Sequence, residues 1–201
     1  MRAPALLLHA LLCCLLALPA RAEGPPTRAA LQRALEAHAR SAVQVSGSGR
    51  AGPGVIVGAG GQVLTSVQQV GLYEAEVRGR AGAASERAPV LMANAALKVA
   101  LVRLRGEDHP AASVALLPRH PGRPWLIGIQ QPGGKRARAV AGRAAPARAA
   151  PFLRVPLALA PGSPLFDTQG RLVAVAVARR GAHACDALPL SALEKLLERA
   201  Q

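Results

Sequence analysis

Aromatic residues are almost missing from this sequence, which holds two phenylalanines, one tyrosine and one tryptophan among 201 residues. Proteins that read nucleic acids stack bases on aromatic side chains or carry recognisable DNA-binding motifs, and this sequence offers neither. Acidic residues are also few, with 11 against 25 lysines and arginines, so the formal net charge is +14. Positive charge alone does not identify a nucleic-acid-binding protein, and we exclude that class.

Cysteine is scarce as well. Two of the three cysteines, Cys13 and Cys14, lie in the apolar N-terminal stretch, which leaves only Cys185 for a mature chain. A single cysteine cannot form an internal disulfide, so stability has to come from a hydrophobic core. We interpret Cys185 as a small buried residue and not as the nucleophile of a Cys-His enzyme.

Long apolar runs are confined to the N-terminus. Arg2 precedes an apolar stretch over residues 5–18, which is too short to span a membrane as a helix, and residues 19–22 end it with an A-x-A pattern at Ala20 and Ala22. This pattern predicts a secretory signal peptide over residues 1–22, cleaved after Ala22, and a secreted or periplasmic chain that begins at Glu23 without a transmembrane segment. The alternative is an uncleaved membrane anchor.

Basic residues concentrate in the sequence "GGKRARAVAGRAAPARAA". Such a segment can attract anionic polymers or membrane surfaces. The alternative is compositional drift, because Ala, Gly, Pro and Arg, all abundant here, share GC-rich codons. The residues of this basic segment are Lys135, Arg136, Arg138, Arg143 and Arg148.

Hydrophobic periodicity predicts an all-β protein with a helix at each end. Residues 23–40 form a linker and a helix, with Thr27 as a suitable start and Leu31, Leu35 and His38 on one face. "PLSALEKLLERAQ" predicts a C-terminal helix. No helix alternates with the strands, so we expect a barrel or sandwich. Between the helices lie eleven short segments typical of strands, among them "GVIVGAG", "VALVRL", "ASVALL", "PWLIGI", "FLRVPLAL" and "RLVAVAVA". The sequence "PLFDTQGRLVAV" predicts a hairpin whose turn is Asp167, Thr168, Gln169 and Gly170.

Several segments, in order, resemble the protease domain of HtrA-type trypsin-like serine proteases. The resemblance spans residues 41–201 and implies a pair of six-stranded β-barrels with the active site between them. It does not extend to the N-terminal aromatic residues through which that family forms trimers, nor to a PDZ domain, so we expect a monomer. The six segments that carry the resemblance are "SAVQVSG", "GPGVIVGAGGQVLTSVQQV", "LKVALVRL", "PWLIGIQQPGG", "APGSPLFDTQGRLVAVAV" and "CDALPLSALEKLLERAQ".

The catalytic positions that the resemblance implies hold unsuitable residues. The family histidine falls on Gln68, whose amide cannot act as a general base, and the family aspartate falls on Lys98, which would oppose an imidazolium. The nucleophile falls on Pro161 in an ungapped match and on Ser163 in a gapped one. In neither match is the pair of glycines after the serine preserved, and Pro164 has no N–H to give an oxyanion.

These replacements predict a pseudoprotease that binds a peptide or protein in the cleft between the barrels. Two alternatives stay open: an active serine endopeptidase with a misaligned or rebuilt site, and an adaptor for envelope polyanions through the basic segment. We expect none of the histidines, His38, His109, His120 or His183, to lie where this fold would bring it to Ser163. No cofactor motif or metal-ligand spacing is present, and we expect neither kind of group.

Overall fold

The computed structural model describes residues 24–47, 49–79, 84–118, 122–131 and 136–194. The predicted signal peptide, His120, Lys135 and most of the predicted C-terminal helix lie outside these ranges. The described part of that helix begins with a 3-10 turn at Leu190–Ala192. No helix among the described residues combines the length and the hydrophobicity needed to cross a membrane.

Helix α1 runs from Arg28 to Ser41, close to the predicted bounds. The Thr27 side chain caps it by accepting a hydrogen bond from the backbone N–H of Ala30. Ala30, Ala34 and Ala37 make its most buried stripe, and the predicted Leu31 and Leu35 pack against the same core, partly buried. Because alanine has only a methyl group, the helix backbone can pack closely on β7 and β8 of the second barrel.

The first barrel is a closed, antiparallel ring of six strands in the order β1-β2-β3-β6-β5-β4. Closure leaves no free strand edge, which removes the main aggregation hazard of a sheet. Its strands are β1 (Ala42–Gly47), β2 (Arg50–Ile56), β3 (Gln62–Ser66), β4 (Glu74–Gly79), β5 (Ser85–Asn94) and β6 (Val99–Arg103).

The second barrel is a curled sheet in the order β8-β7-β11-β12-β13-β10-β9. Its two outer strands, β8 and β9, are separated only by the buried Ala144, so one bent strand closes the ring. The predicted pair of six-stranded barrels is thus confirmed. The strands are β7 (Trp125–Gln130), β8 (Arg138–Arg143), β9 (Ala145–Pro146), β10 (Leu153–Val155), β11 (Pro164–Phe166), β12 (Leu172–Arg180) and β13 (Ala184–Pro189).

The buried apolar side chains form three clusters. Each barrel has its own interior, and a third layer between the barrels collects side chains from both of them and from α1. Strand β6 shows the arrangement: Val99 and Leu101 point into the layer between the barrels, while Ala100 and Val102 fill the first barrel. Strands buried on both faces read as continuous apolar runs, which explains "VALV" and "LVAVAV" in the sequence.

Two predicted strands need correction. Residues 112–117 form no strand; Val114 makes a single bridge to Leu172, because this segment crosses from one barrel to the other. The predicted strand at residues 152–159 is limited to β10, since Pro156 has no N–H with which to continue the ladder. The predicted hairpin is confirmed: Asp167 and Gly170 form the turn between β11 and β12.

Candidate functional site

The loop Pro161–Ser163 lies between the two barrels and leads directly into β11. Gly162 has a φ of +89°, and a Cβ there would overlap the carbonyl oxygen of Pro53 on strand β2. Only glycine fits both the left-handed backbone and this close approach. Ser163 is 7% exposed, and its carbonyl accepts a hydrogen bond from the N–H of Ala176. The loop is therefore held on both sides, by β2 and by β12.

Gln69 fastens this loop to the first barrel. It lies in the 3-10 helix Val67–Gln69, and its Nε2 donates a hydrogen bond of 2.5 Å to the carbonyl oxygen of Pro161. Its Oε1 accepts a short hydrogen bond from Thr65 Oγ1. The side chain of Gln69 is 5% exposed, whereas its neighbour Gln68 is exposed. The structure thus brings Gln69 against the loop, and not the Gln68 side chain to which the sequence pattern pointed.

The N–H groups of Leu159 and Ser163 donate to nearby backbone carbonyls. In trypsin-like chemistry the oxyanion is bound by the N–H of the nucleophile and by the N–H two residues before it. If Ser163 is the nucleophile, its own N–H donates to the carbonyl of Ala160, and the residue two before it is Pro161. If Pro161 occupies that position, it has no N–H, and the N–H of Leu159 donates to the carbonyl of Leu157. Neither match offers an oxyanion two donors.

One histidine shares a cleft with Ser163. His38, at the end of α1, lines the same cleft as Ser163, and its ring packs edge-on against Phe166 with 6.5 Å between ring centroids. That no histidine lies where this fold would bring it to Ser163 stays a prediction. His109 bonds to the carbonyl of Arg105, and His183 is exposed at the turn between β12 and β13.

The cleft that His38 and Ser163 share has a volume of about 910 Å³ and lies between the barrels. Its first-barrel wall includes Pro53 and Gly79, and its second-barrel wall includes the irregular segment 158–160. Two cations line it, Arg78 and Arg179, and none of the acidic residues that the structure describes does. The cleft is thus an open, positively charged groove with main chain in its wall.

Lys98, the residue at the family's aspartate position, lies in the turn before β6 with a φ of +61°. Its carbonyl accepts a hydrogen bond of 3.2 Å from the N–H of Val67, so this turn supports the 3-10 helix that carries Gln69. Its ammonium lies 5.8 Å from the centre of the Phe152 ring. The Lys98 side chain lines a second cavity, of about 260 Å³.

Asp186 on β13 is the most buried acid of that second cavity, with a side chain 6% exposed. Arg154 on β10 donates Nε to Oδ1 at 2.7 Å, and Arg180 on β12 donates Nε to Oδ2 at 2.6 Å. Burial opposes the ionisation of Asp186, but the hydrogen bonds from Arg180 and Arg154 outweigh it and hold its pKa below the usual value. Asp186 is therefore a carboxylate at neutral pH.

We expect Asp186→Asn to lower the free energy of unfolding by about 1–3 kcal/mol at neutral pH, less than a fully buried pair because both guanidinium groups are half exposed. A carboxyl whose pKa is lowered by folding stabilises the protein above its unfolded pKa of about 3.9, and loses that contribution as the pH falls through the lower folded value. Urea unfolding from pH 7 down to pH 2.5 should show the difference between variant and wild type shrinking below about pH 4.

The matched control for this measurement is Glu74→Gln. Glu74 forms only a long, exposed ion pair with Arg87, at 3.9 Å, so this substitution should have little effect at any pH. A difference between Asp186→Asn and wild type that stays constant down to pH 2.5 would contradict the assignment of Asp186 as the stabilising carboxylate.

Cys185, next to Asp186, is fully buried. Burial, and then the neighbouring Asp186 charge, raise its pKa to about 12, so the thiolate is absent at physiological pH. Because the thiolate is the reactive form, this agrees with the interpretation of Cys185 as a small core residue. Within the described ranges, no three potential metal ligands cluster together.

The basic segment does not form one surface. Arg138 and Arg143 both lie on β8 but are five residues apart, so their side chains point to opposite faces of the strand. Arg136 and Arg148 are exposed, and of the segment's described basic residues only Arg148 lines either of the two cavities described above. The described part of the segment thus distributes its charge over several faces.

No protein-family model and no curated protein matches this chain. Solved structures do. A serine endoprotease from Yersinia pestis superposes with a TM-score of 0.70 at 18% identity, over 88% of this chain and 67% of the other. The HtrA-type protease AlgW with tripeptide gives a TM-score of 0.67 at 16% identity, over 84% of this chain and 62% of the other. Rv3671c from M. tuberculosis, a serine-to-alanine mutant in its inactive form, gives 0.66 at 17% identity, over 88% and 94%.

These likenesses establish the fold, which is that of trypsin-like, HtrA-type serine proteases. This chain spans about two thirds of the length of the first two proteases, and nearly all of the third. Fold alone does not determine activity, which depends on the chemistry of the site.

Proposed function

We propose that this chain is a non-catalytic protein of the trypsin-like fold that binds an extended peptide or protein segment in the cleft between its barrels. The observation that carries the proposal is the amide of Gln69 bonded to the Pro161 carbonyl, where a protease needs a base facing a nucleophile. A glutamine amide does not take up a proton near neutral pH. The pattern of residues 1–22 extends the proposal to a secreted or periplasmic protein.

Loss of the oxyanion donors supports the same proposal. Members of a catalytic triad act as a unit, and removing one from a working enzyme lowers kcat by roughly 10⁴ to 10⁶. The residual rate comes from the oxyanion hole and from binding. Since the N–H groups of Leu159 and Ser163 are already bonded to carbonyls within their own loop, that residual source is missing as well.

Binding, in contrast, needs none of these groups. An extended peptide can be held by main-chain hydrogen bonds and by pockets for alternate side chains. Residues 158–160 line the cleft outside any strand, and Arg78 and Arg179 line it, Arg78 with only a long ion pair of 3.9 Å to Glu76 outside the cleft. Leu72 and Tyr73, each 80% exposed, follow Gln69 by three and four residues and offer apolar contact to a protein partner. We therefore expect the preferred peptide to be acidic.

The binding test uses a fluorescein-labelled peptide of alternating valine and glutamate, with a valine–lysine peptide as its counterpart. Fluorescence anisotropy should show binding of the acidic peptide only. Ala160→Trp fills the cleft from an exposed position and should weaken binding at least tenfold, whereas Ala29→Trp, exposed on α1 outside the cleft, should not change it. Equal binding by both tryptophan variants would overturn the proposed cleft.

A second candidate function, serine hydrolysis, is favoured by one observation: His38 and Ser163 line the same cleft. The histidine would have to take the Ser163 proton, a role that requires a hydrogen bond between the two side chains. We expect a fluorophosphonate probe to leave the wild-type protein unlabelled and casein to remain uncut. Labelling of wild type that is lost in both Ser163→Ala and His38→Ala would replace the proposed function by this one.

A further inference from the structure

We propose that the second cavity, the one lined by Lys98, Arg148, Arg154, Arg180 and Asp186, is a binding site for a phosphate group. This cavity shares no lining residue with the cleft of the proposed function. Of the residues at the catalytic positions that the resemblance implies, only Lys98 lines it. Among the described residues, four cations and one carboxylate line the cavity, so positive charges outnumber negative ones by three.

Asp186 holds Arg154 and Arg180 in place through their Nε atoms, and the Nη groups of both arginines stay available. Arg154 and Asp186 are direct cross-strand partners on β10 and β13, and Arg180 reaches the same carboxylate from β12 on the other side. Both arginines use Nε for this contact, and among the described residues their Nη groups make no hydrogen bond. Since a guanidinium recognises an oxyanion through two parallel N–H groups, a fixed Nε contact leaves the Nη pair available for a ligand.

Lys98 completes the cavity from the first barrel in an unusual conformation. A left-handed backbone is rare for lysine and costs of order 1–3 kcal/mol, a strain that clusters at functional sites. Here the ammonium lies over the Phe152 ring, and Lys98 lines the same cavity as the two arginines. Arg148, exposed at the rim, supplies the fourth charge.

The size and charge of the cavity point to phosphate. Its volume, about 260 Å³, is below the roughly 300 Å³ at which sites for drug-sized molecules begin. A phosphate monoester carries close to two negative charges at pH 7, because its second pKa is about 6, and it presents three acceptor oxygens. A carboxylate has one charge and two oxygens, which match the excess of positive charge less well.

The test measures ligand-dependent thermal stability and calorimetric binding at constant ionic strength, with chloride as the balancing anion. We expect inorganic phosphate and glycerol 3-phosphate to bind and raise the Tm, and acetate at the same concentration to do neither. If only the free anion binds, the site takes inorganic phosphate; if the ester binds at least as well, it takes a phosphorylated molecule. Phosphate affinity should rise between pH 5.5 and 7.5 as the second proton leaves, while sulfate affinity stays constant.

Two neutralising variants locate the site, and three further variants serve as their controls. Lys98→Gln and Arg148→Gln should each weaken phosphate binding about tenfold, and Lys98→Arg should retain most of it. Arg138→Gln removes an exposed charge of the same basic segment outside the cavity and should leave binding unchanged. Ala160→Trp, which blocks the cleft, should also leave it unchanged, so that this site and the proposed peptide site fail or hold separately.

Two outcomes would overturn the site. One is a Tm in phosphate that equals the Tm in chloride at the same ionic strength, because any effect of added salt would then be general screening. The other is an equal loss of binding in Arg138→Gln and Arg148→Gln, because the anion would then be responding to the overall surface charge. The Tm of each unliganded variant, measured first, shows whether a loss of binding comes from unfolding.

Discussion

Gly162→Ala is expected to lower the free energy of unfolding by about 2–5 kcal/mol. A left-handed alanine costs about 1–2 kcal/mol, and forcing a methyl group into a filled space costs a further 1–3 kcal/mol or so. The new Cβ would overlap the Pro53 carbonyl and lie 2.8 Å from Gln69 Oε1. Because a small protein has only about 5–15 kcal/mol of stability in total, this one methyl group removes a large share of it.

The matched control for Gly162 is Gly181→Ala. Gly181 also has a positive φ, +64°, but nothing lies within 4 Å of a Cβ built there. Chemical denaturation of both variants therefore separates the backbone cost from the cost of pushing the loop away from β2. Equal losses of stability in the two variants would mean that the close contact between loop and barrel is not as tight as the geometry indicates.

Phe166→Ala is the second substitution for which we expect a large effect, a loss of about 3–5 kcal/mol, typical of truncating a buried aromatic side chain. Phe166 is fully buried in the layer between the barrels, where α1, both barrels and the His38 ring meet around it. A cavity there cannot collapse easily, because three separate elements would have to move together.

The only other phenylalanine provides the comparison for Phe166. Phe152 is half buried at the edge of the same layer and packs under the Lys98 ammonium. Phe152→Ala should cost clearly less than Phe166→Ala in the same denaturation experiment. The reverse order would contradict the placement of Phe166 at the centre of the contact between the barrels.

The sequence predicted the barrels well because their signals are local. Helix α1 followed from its cap and its periodicity, and the hairpin after Phe166 followed from the turn residues Asp167 and Gly170. The segment at residues 112–117 misled because only part of its apolar pattern is buried: Ala112, Ala115 and Leu117 pack at the cores, while Val114 and Leu116 are exposed. An apolar run does not record whether its N–H groups have partners in a ladder.

The site was harder to predict because it depends on the direction in which individual side chains point. In a 3-10 helix successive side chains are about a third of a turn apart, so adjacent glutamines face different ways and no pattern decides which one meets the loop. The cluster around Asp186 had no sequence signal at all, since Arg154, Arg180 and Asp186 meet only when three strands align. Cross-strand partners of this kind are set by register, which the sequence does not spell out.

The shared layer between the barrels has a consequence for how the chain can come apart. Strands such as β6 and β12 present one face to their own barrel and the other to the neighbouring barrel, so separating the halves would expose apolar surface from both at once. Neither half is then a stable fragment by itself. The amides of these strands should exchange with deuterium only through unfolding of the whole molecule, whereas exposed turns such as the one at His183 exchange by local opening.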